Sequence, residues 1–316
     1  MPDPSEHIAV ILGPTCSWKS AVALQLAKRH DAEIISCDSM QVYRGLPIGT
    51  AQPSEEEQRE VPHHLVGCLD IHELYTASRF AEMAEACRRD ITSRGRRIIV
   101  VGGSGLYAKT WIYGMPLLPS DLTVSQAWSR KLATEEGRQT ALLDIQRECA
   151  ERKLEVPSDV ILNPRRLLRA CEVHQLTGKF PWELAKATAT PRPGFRQFCL
   201  LPDWTLLRAR IRARTRQMLK AGWVEEAKAA AANGLLETPT ARQALGYRDI
   251  LEFLQRGAPG GEEALAELLG NRTVQYARRQ MTWFKHQHPG AVFLPLEQPE
   301  LALSTAVKAI EEAMPS

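Results

Sequence analysis

Apolar and polar positions change period twice along this 316-residue chain. Residues 7–13, HIAVILG, form a short β-branched run that ends at a Pro/Thr/Ser turn, and residues 20–30, SAVALQLAKRH, carry apolar side chains at helical spacing. The strand, turn, helix pattern recurs: AEIISCD (32–38) predicts a second strand, residues 80–95 a helix, and RRIIVVGG (96–103) a third strand. Apolar strands alternating with helices predict an α/β fold, a parallel sheet with helices on both faces. From about Pro116 to Pro191 the strand signal stops and amphipathic stretches take over, which predicts a helical insertion domain at 116–191 within a core formed by 1–115 and 192–316. The chain then returns to a strand at 195–202, helices at about 203–220, 223–233, 240–256 and 262–287, and a last strand, AVFLPL.

Composition narrows the class. Hydrophobic residues at 44% and charged residues at 24% are values for a globular protein, not a disordered or membrane one. The leading apolar run is too short for a signal peptide or a spanning helix, so the expected location is the cytoplasm, with no membrane partner. Seven scattered cysteines without CxxC spacing point to reduced thiols. The net charge of +3 conceals basic clusters at residues 165–169, 208–216 and 272–285. Each is either a solvated helix face or a set of phosphate contacts.

Residues 13–20, GPTCSWKS, follow the first strand and open the first helix, where a phosphate-binding loop belongs. Backbone N–H groups would converge there on an anion, Lys19 would add a mobile charge, and the Ser20 hydroxyl could ligate Mg²⁺. The pattern GxxxxGK[ST] is met except at Trp18, which stands at the second glycine. The indole could block the cradle, tilt it, or point outward; if it blocks, Trp18→Gly should lower the KM of a diphosphate substrate. An ordinary strand-to-helix turn remains the alternative for the loop taken alone.

The second strand ends at Asp38, at the sheet edge where ligands of such folds bind. A lone aspartate there could hold metal, accept a hydroxyl proton, or cap a turn. The surrounding DSMQVYRG and IGTAQP resemble the signature of the tRNA dimethylallyltransferase (tRNA isopentenyltransferase) family, bacterial type. VPHHLVG (61–67), VGGSGLY (101–107), NPRRLLRACEVHQLTGK (163–179), RARIRARTRQMLKAGWVEE (208–226), PTARQALGYRD (239–249) and RRQMTWFK (278–285) resemble further family segments in the same order.

The resemblance implies a P-loop NTPase-like fold and transfer of a dimethylallyl group from dimethylallyl diphosphate to N6 of adenosine 37 in tRNA, beside the anticodon. It implies that Gly13, Pro14, Thr15, Cys16, Ser17, Trp18, Lys19 and Ser20 form the diphosphate loop, with Mg²⁺ at Ser20. Asp38 would be the general base, Ser104 would stand near the amine or diphosphate, and Arg214 would balance the leaving group, with Arg210 the lesser candidate. Ser39, Met40 and Gln41 would meet the target nucleotide. The anticodon stem-loop would meet Gln126, Arg165, Arg166, Arg169, Arg242, Gln243, Gly246, Tyr247 and Arg248, with Gly246 serving mainly the backbone. The protein is expected to be monomeric.

An unpaired loop base suits such a site, because a base must leave its stack to be alkylated. Three readings compete: a P-loop small-molecule kinase binding a nucleotide such as ATP, a prenyltransferase of free adenylate, and an inactive RNA-binding descendant motivated by Trp18. His63 and His64 could suggest a metal pair, but adjacent residues diverge, and packing or loop hydrogen bonding is favoured. The acidic run Glu55–Glu57 predicts a helix start after Ser54.

Overall fold

The computed structural model describes residues 7–114, 118–184 and 190–314. Two compact units make up the chain: Met1–Tyr113 with Thr190–Ser316, and Gly114–Ala189. Pro116, the expected start of the insertion, lies outside the described residues.

The larger unit carries a six-stranded sheet of β1 (Ile8–Leu12), β2 (Ala32–Ser36), β3 (His63–His64), β4 (Arg97–Gly102), β5 (Phe195–Pro202) and β6 (Ala291–Leu296), ordered β3-β2-β4-β1-β5-β6. Every pairing is parallel. β1 and β2 are buried at all of their positions, as strands covered on both faces must be. Side-chain alternation sorts Ile8, Val10 and Leu12 into one apolar cluster and Ala9 and Ile11 into another. The first cluster is completed by α3 (Ala77–Ser93), α4 (Gly105–Ile112), α11 (Trp223–Ala232), α12 (Tyr247–Gln255) and α13 (Gly261–Gln287), the second by α1 (Lys19–His30) and α14 (Ala302–Ala313). The α/β class with helices on both faces therefore stands as expected. β1 leads to β2, which lies beyond β4, and β5 later joins the other side of β1. That reversal opens a crevice at the carboxyl ends of β1 and β4.

Two elements differ from expectation. β3 is only two residues long, paired with Ile34 and Ile35, and too short to leave a period in the sequence. His64 Nε2 lies 2.7 Å from Glu33 Oε2, and His63 Nδ1 lies 2.7 Å from the Val61 carbonyl. The single helix expected at 240–256 is broken: a 3₁₀ turn covers Ala241–Gln243, and Gly246 adopts φ 91° as the left-handed N-cap of α12. The acidic run does open a helix, α2 (Glu55–Glu60), through a capping box in which Ser54 Oγ accepts from Glu57 N–H at 3.2 Å and Glu57 accepts from Ser54 N–H at 2.7 Å.

The smaller unit is helical: α5 (Leu122–Lys131), α6 (Glu135–Glu151), α7 (Ser158–Leu162), α8 (Pro164–Thr177) and α9 (Pro181–Leu184). Ala141, Ile145, Leu167, Ala170 and Phe180 form its core. All seven cysteines are free. Among the described residues no helix is long and apolar enough to cross a membrane.

Candidate active site at the carboxyl edge of the sheet

The loop between β1 and α1 leaves a helix N-terminus open to an anion. α1 has no side-chain cap and no acidic residue in its first turn, so its leading N–H groups and the positive end of its dipole stay open. Ser17 Oγ is buried without a hydrogen-bond partner among the described residues. Lys19 Nζ reaches back to the Pro14 carbonyl at 3.0 Å. Burial, reinforced by the Arg214 charge and opposed by that of Asp38, pushes the Lys19 pKa down to about 8.

A second helix closes the loop from outside. In α10 (Trp204–Lys220), Leu207, Ile211, Thr215 and Met218 face the interior, and Arg210 and Arg214 form a ridge one turn apart. Arg214 Nη2 donates to Thr15 Oγ1 at 2.5 Å, and Arg210 Nε donates to the Cys16 carbonyl at 3.0 Å. A cavity of about 410 Å³ lies before the ridge, lined by Trp18, Lys19, Ser20, Arg210 and Arg214. A second, of about 210 Å³, adjoins it at Ser20, Glu57 and Arg214 and reaches Gln41.

Trp18 resolves the oddity of the loop. Its backbone takes φ 65°, ψ 1°, the left-handed conformation for which glycine is suited, and its indole stacks under Arg210 with the guanidinium carbon 3.8 Å from the ring centroid. The indole is thus part of the wall, packed beside the α1 and α14 cluster, and the cradle stays open. Because the stack holds Arg210 over the loop, Trp18→Gly should weaken inorganic diphosphate binding about two- to tenfold. Tighter binding by calorimetry would show instead that the indole obstructs the site.

The opposite wall carries Asp38. Its Oδ1 accepts from the Met40 N–H at 2.9 Å and the Gln41 N–H at 3.3 Å, which fixes the turn after β2. Ser104, 9% exposed at the start of α4, accepts through Oγ from the Ser39 N–H at 2.9 Å. Two residues of α13 that sequence reading left unassigned also reach this wall. Burial, with the Asp38 charge next, raises the Tyr276 phenol, so it stays a hydroxyl donor. Gln280 accepts from the Thr15 N–H. Neither signal was local, since both residues lie in a helix far along the chain.

Several expected RNA or nucleotide contacts are corrected. Tyr247 is 1% exposed, and its hydroxyl donates to Glu226 Oε1 at 2.6 Å, so it cannot stack on a base. Gly246 serves the backbone break and not a ligand. The Gln41 amide is taken up internally: Oε1 accepts from Ser36 Oγ at 2.8 Å and Nε2 donates to the Ala51 carbonyl at 2.7 Å. Met40 packs on the core. In the smaller unit Arg169 neutralises the buried Glu172, at 2.7 Å, and donates to the Leu118 carbonyl at 2.8 Å. Arg242, Gln243 and Arg248 are exposed in the larger unit; Gln126, Arg165 and Arg166 are exposed in the smaller, where Arg166 pairs with Asp159.

Among the described residues no group of three or more His, Cys, Asp or Glu could cage a metal. The exposed Ser20 hydroxyl beside the loop is a donor set that fits Mg²⁺ held chiefly by substrate phosphates and water.

Comparison with known proteins gives this crevice a context. The family model described as IPP transferase matches residues 41–287. A tRNA dimethylallyltransferase of Thermus thermophilus is 39% identical over 92% of this chain and 93% of its own, and one of Myxococcus xanthus is 38% identical over 91% and 92%. The crystal structure of the full-length tRNA isopentenylpyrophosphate transferase of Bacillus halodurans is similar with a TM-score of 0.68 at 28% identity, covering 98% of this chain and 97% of that one. A eukaryotic dimethylallyltransferase acting on tRNA gives 0.77 at 26% identity, covering 96% of this chain and 77% of its own. With the family model matched over residues 41–287 and relatives matched along nearly their whole length, the chain belongs to the IPP transferase family, the tRNA dimethylallyltransferases.

Proposed function

We propose that this protein transfers the dimethylallyl group of dimethylallyl diphosphate to N6 of adenosine 37 in tRNA, acting as a monomer in the cytoplasm, where its seven free thiols would stay reduced. The observation that carries the reading is the meeting of opposite charges across one crevice: Lys19 and Arg214 on the loop side, and Asp38 close enough to act on the Lys19 ammonium. The family match over residues 41–287 argues against a kinase, and the open cradle beside Trp18 argues against an inactive descendant.

In the transfer, the allylic C–O bond breaks and its electron pair leaves with the diphosphate. The N6 lone pair forms the new C–N bond, and the proton released from N6 passes to the Asp38 carboxylate through the oxygen not engaged in the turn. Lys19, Arg214 and the N–H groups at the start of α1 stabilise the charge gathering on the leaving group. Bound at Ser20, Mg²⁺ would add Lewis-acid neutralisation of the phosphate oxygens. Ser104 orients the turn that carries the base, through the Ser39 N–H. The exposed Arg242 and Arg248, with Arg165, Arg166 and Gln126 on the smaller unit, would contact the anticodon stem-loop.

Incubation with dimethylallyl diphosphate, Mg²⁺ and an unmodified tRNA bearing adenosines at 36 and 37 should add one five-carbon prenyl unit, located by mass analysis at adenosine 37. Prenylation of AMP but not of tRNA would reject this reading.

A further inference from the structure

Gln280 is 7% exposed on α13, and its amide bridges the two walls of the crevice. Oε1 accepts from the Thr15 N–H, in the phosphate loop, at 2.9 Å. Nε2 donates to the Gly103 carbonyl, just beyond β4, at 3.0 Å. The partners fix which end of the amide points where, since an N–H must meet oxygen and a carbonyl must meet an N–H. A Cβ on residue 103 would lie 2.4 Å from Nε2, so glycine is required there for the amide to reach.

The bridge continues beyond Gly103. Ser104 donates its N–H to the Cys37 carbonyl at 3.3 Å and accepts from the Ser39 N–H through Oγ at 2.9 Å. The path Thr15, Gln280, Gly103, Ser104, Ser39 therefore runs from the diphosphate cradle to the turn that holds Asp38. The Tyr276 hydroxyl, on the same helix, also meets this amide. An apolar side chain of equal size would fill the space as well but could not tie a loop N–H to a strand-end carbonyl, as the amide does.

We infer that Gln280 is a positioning residue for the transfer, fixing the separation between donor diphosphate and the Asp38 and Ser104 wall without touching either substrate. The inference rests on the prenyl-transfer reading. Its physical basis is the narrow tolerance of displacement reactions: reacting atoms must lie about 3–3.5 Å apart, and a displacement of about 1 Å costs on the order of 10²-fold in rate.

The test compares Gln280→Met, which keeps length and volume but neither hydrogen bond, with Gln280→Glu, which keeps the acceptor for Thr15 and, when ionised, loses the donor to Gly103. Each is measured in the full-length protein for single-turnover transfer rate per folded molecule, KM for tRNA, calorimetric Kd for inorganic diphosphate, and thermal midpoint. Gln280→Met should slow transfer about 10- to 100-fold with diphosphate Kd and tRNA KM within about threefold of the unsubstituted protein. Gln280→Glu should stay folded and also lose rate. Rates within about threefold of the unsubstituted protein in both variants, or parallel loss of rate, diphosphate binding and thermal midpoint, would overturn the inference. An inactive unsubstituted protein would sink the transfer reading and this inference together; an active one with equally active variants sinks this inference alone.

Discussion

Asp38→Asn is expected to lower kcat for prenyl transfer by about 10²- to 10⁴-fold while diphosphate binding and thermal stability hold. The asparagine retains an Oδ1 for the Met40 and Gln41 N–H groups, so the turn after β2 keeps its hydrogen bonds. It loses only the second oxygen, the one able to take the N6 proton. Asp38→Ala would remove the turn contacts as well and confuse folding with chemistry. The substitution carries a second signature: the Asp38 charge raises the Lys19 pKa, so in Asp38→Asn that pKa should fall below about 8. Near-normal kcat in a folded Asp38→Asn protein would remove the carboxylate from the mechanism.

Lys19→Met is expected to lower kcat/KM by about 10²- to 10³-fold, the loss seen when one donor to a developing oxyanion is removed. Lys19 also predicts a pH dependence. Its pKa in the free protein is depressed to about 8, so below that pH it is charged and ready for a diphosphate; above it the neutral amine must take up a proton to bind. Diphosphate affinity should therefore be level just below pH 8 and fall up to about tenfold per unit above it. Lys19→Arg, charged throughout this range, should abolish that limb. Folding stability moves the other way, because a folded pKa below the unfolded one means that stability rises with pH above about 8. A flat affinity profile in calorimetry would contradict the assignment.

How far the sequence speaks depends on the reach of each signal. β1, β2 and β4 are legible because a strand buried on both faces is mostly apolar, IAVIL, AEIIS and RIIVVG here, and the loop is legible because its chemistry lies within eight consecutive residues. The 240–256 break was hidden by apolar periodicity continuing across Gly246, where only φ changes hand. Directions of polar side chains were not legible at all. Gln41 and Tyr247 sit in motifs that suggest ligands, yet their polar atoms close on Ser36, Ala51 and Glu226. The orientation of Trp18 is decided by Arg210, and the tie at Thr15 by Gln280, partners distant in the sequence that only the fold brings in. Residue type could be read locally; partner identity could not.

In the proposed transfer one crevice holds the diphosphate and the base on either side of a single allylic carbon. A crystal structure with a non-reactive thiolo analogue of dimethylallyl diphosphate and an anticodon stem-loop would show that geometry. Phosphate oxygens should contact Lys19 Nζ, Arg214 and the N–H groups of residues 16–20, with the allylic carbon about 3–3.5 Å from N6 and the Asp38 carboxylate on the amine. Diphosphate bound away from the loop, or Asp38 turned from N6, would overturn the proposed mechanism.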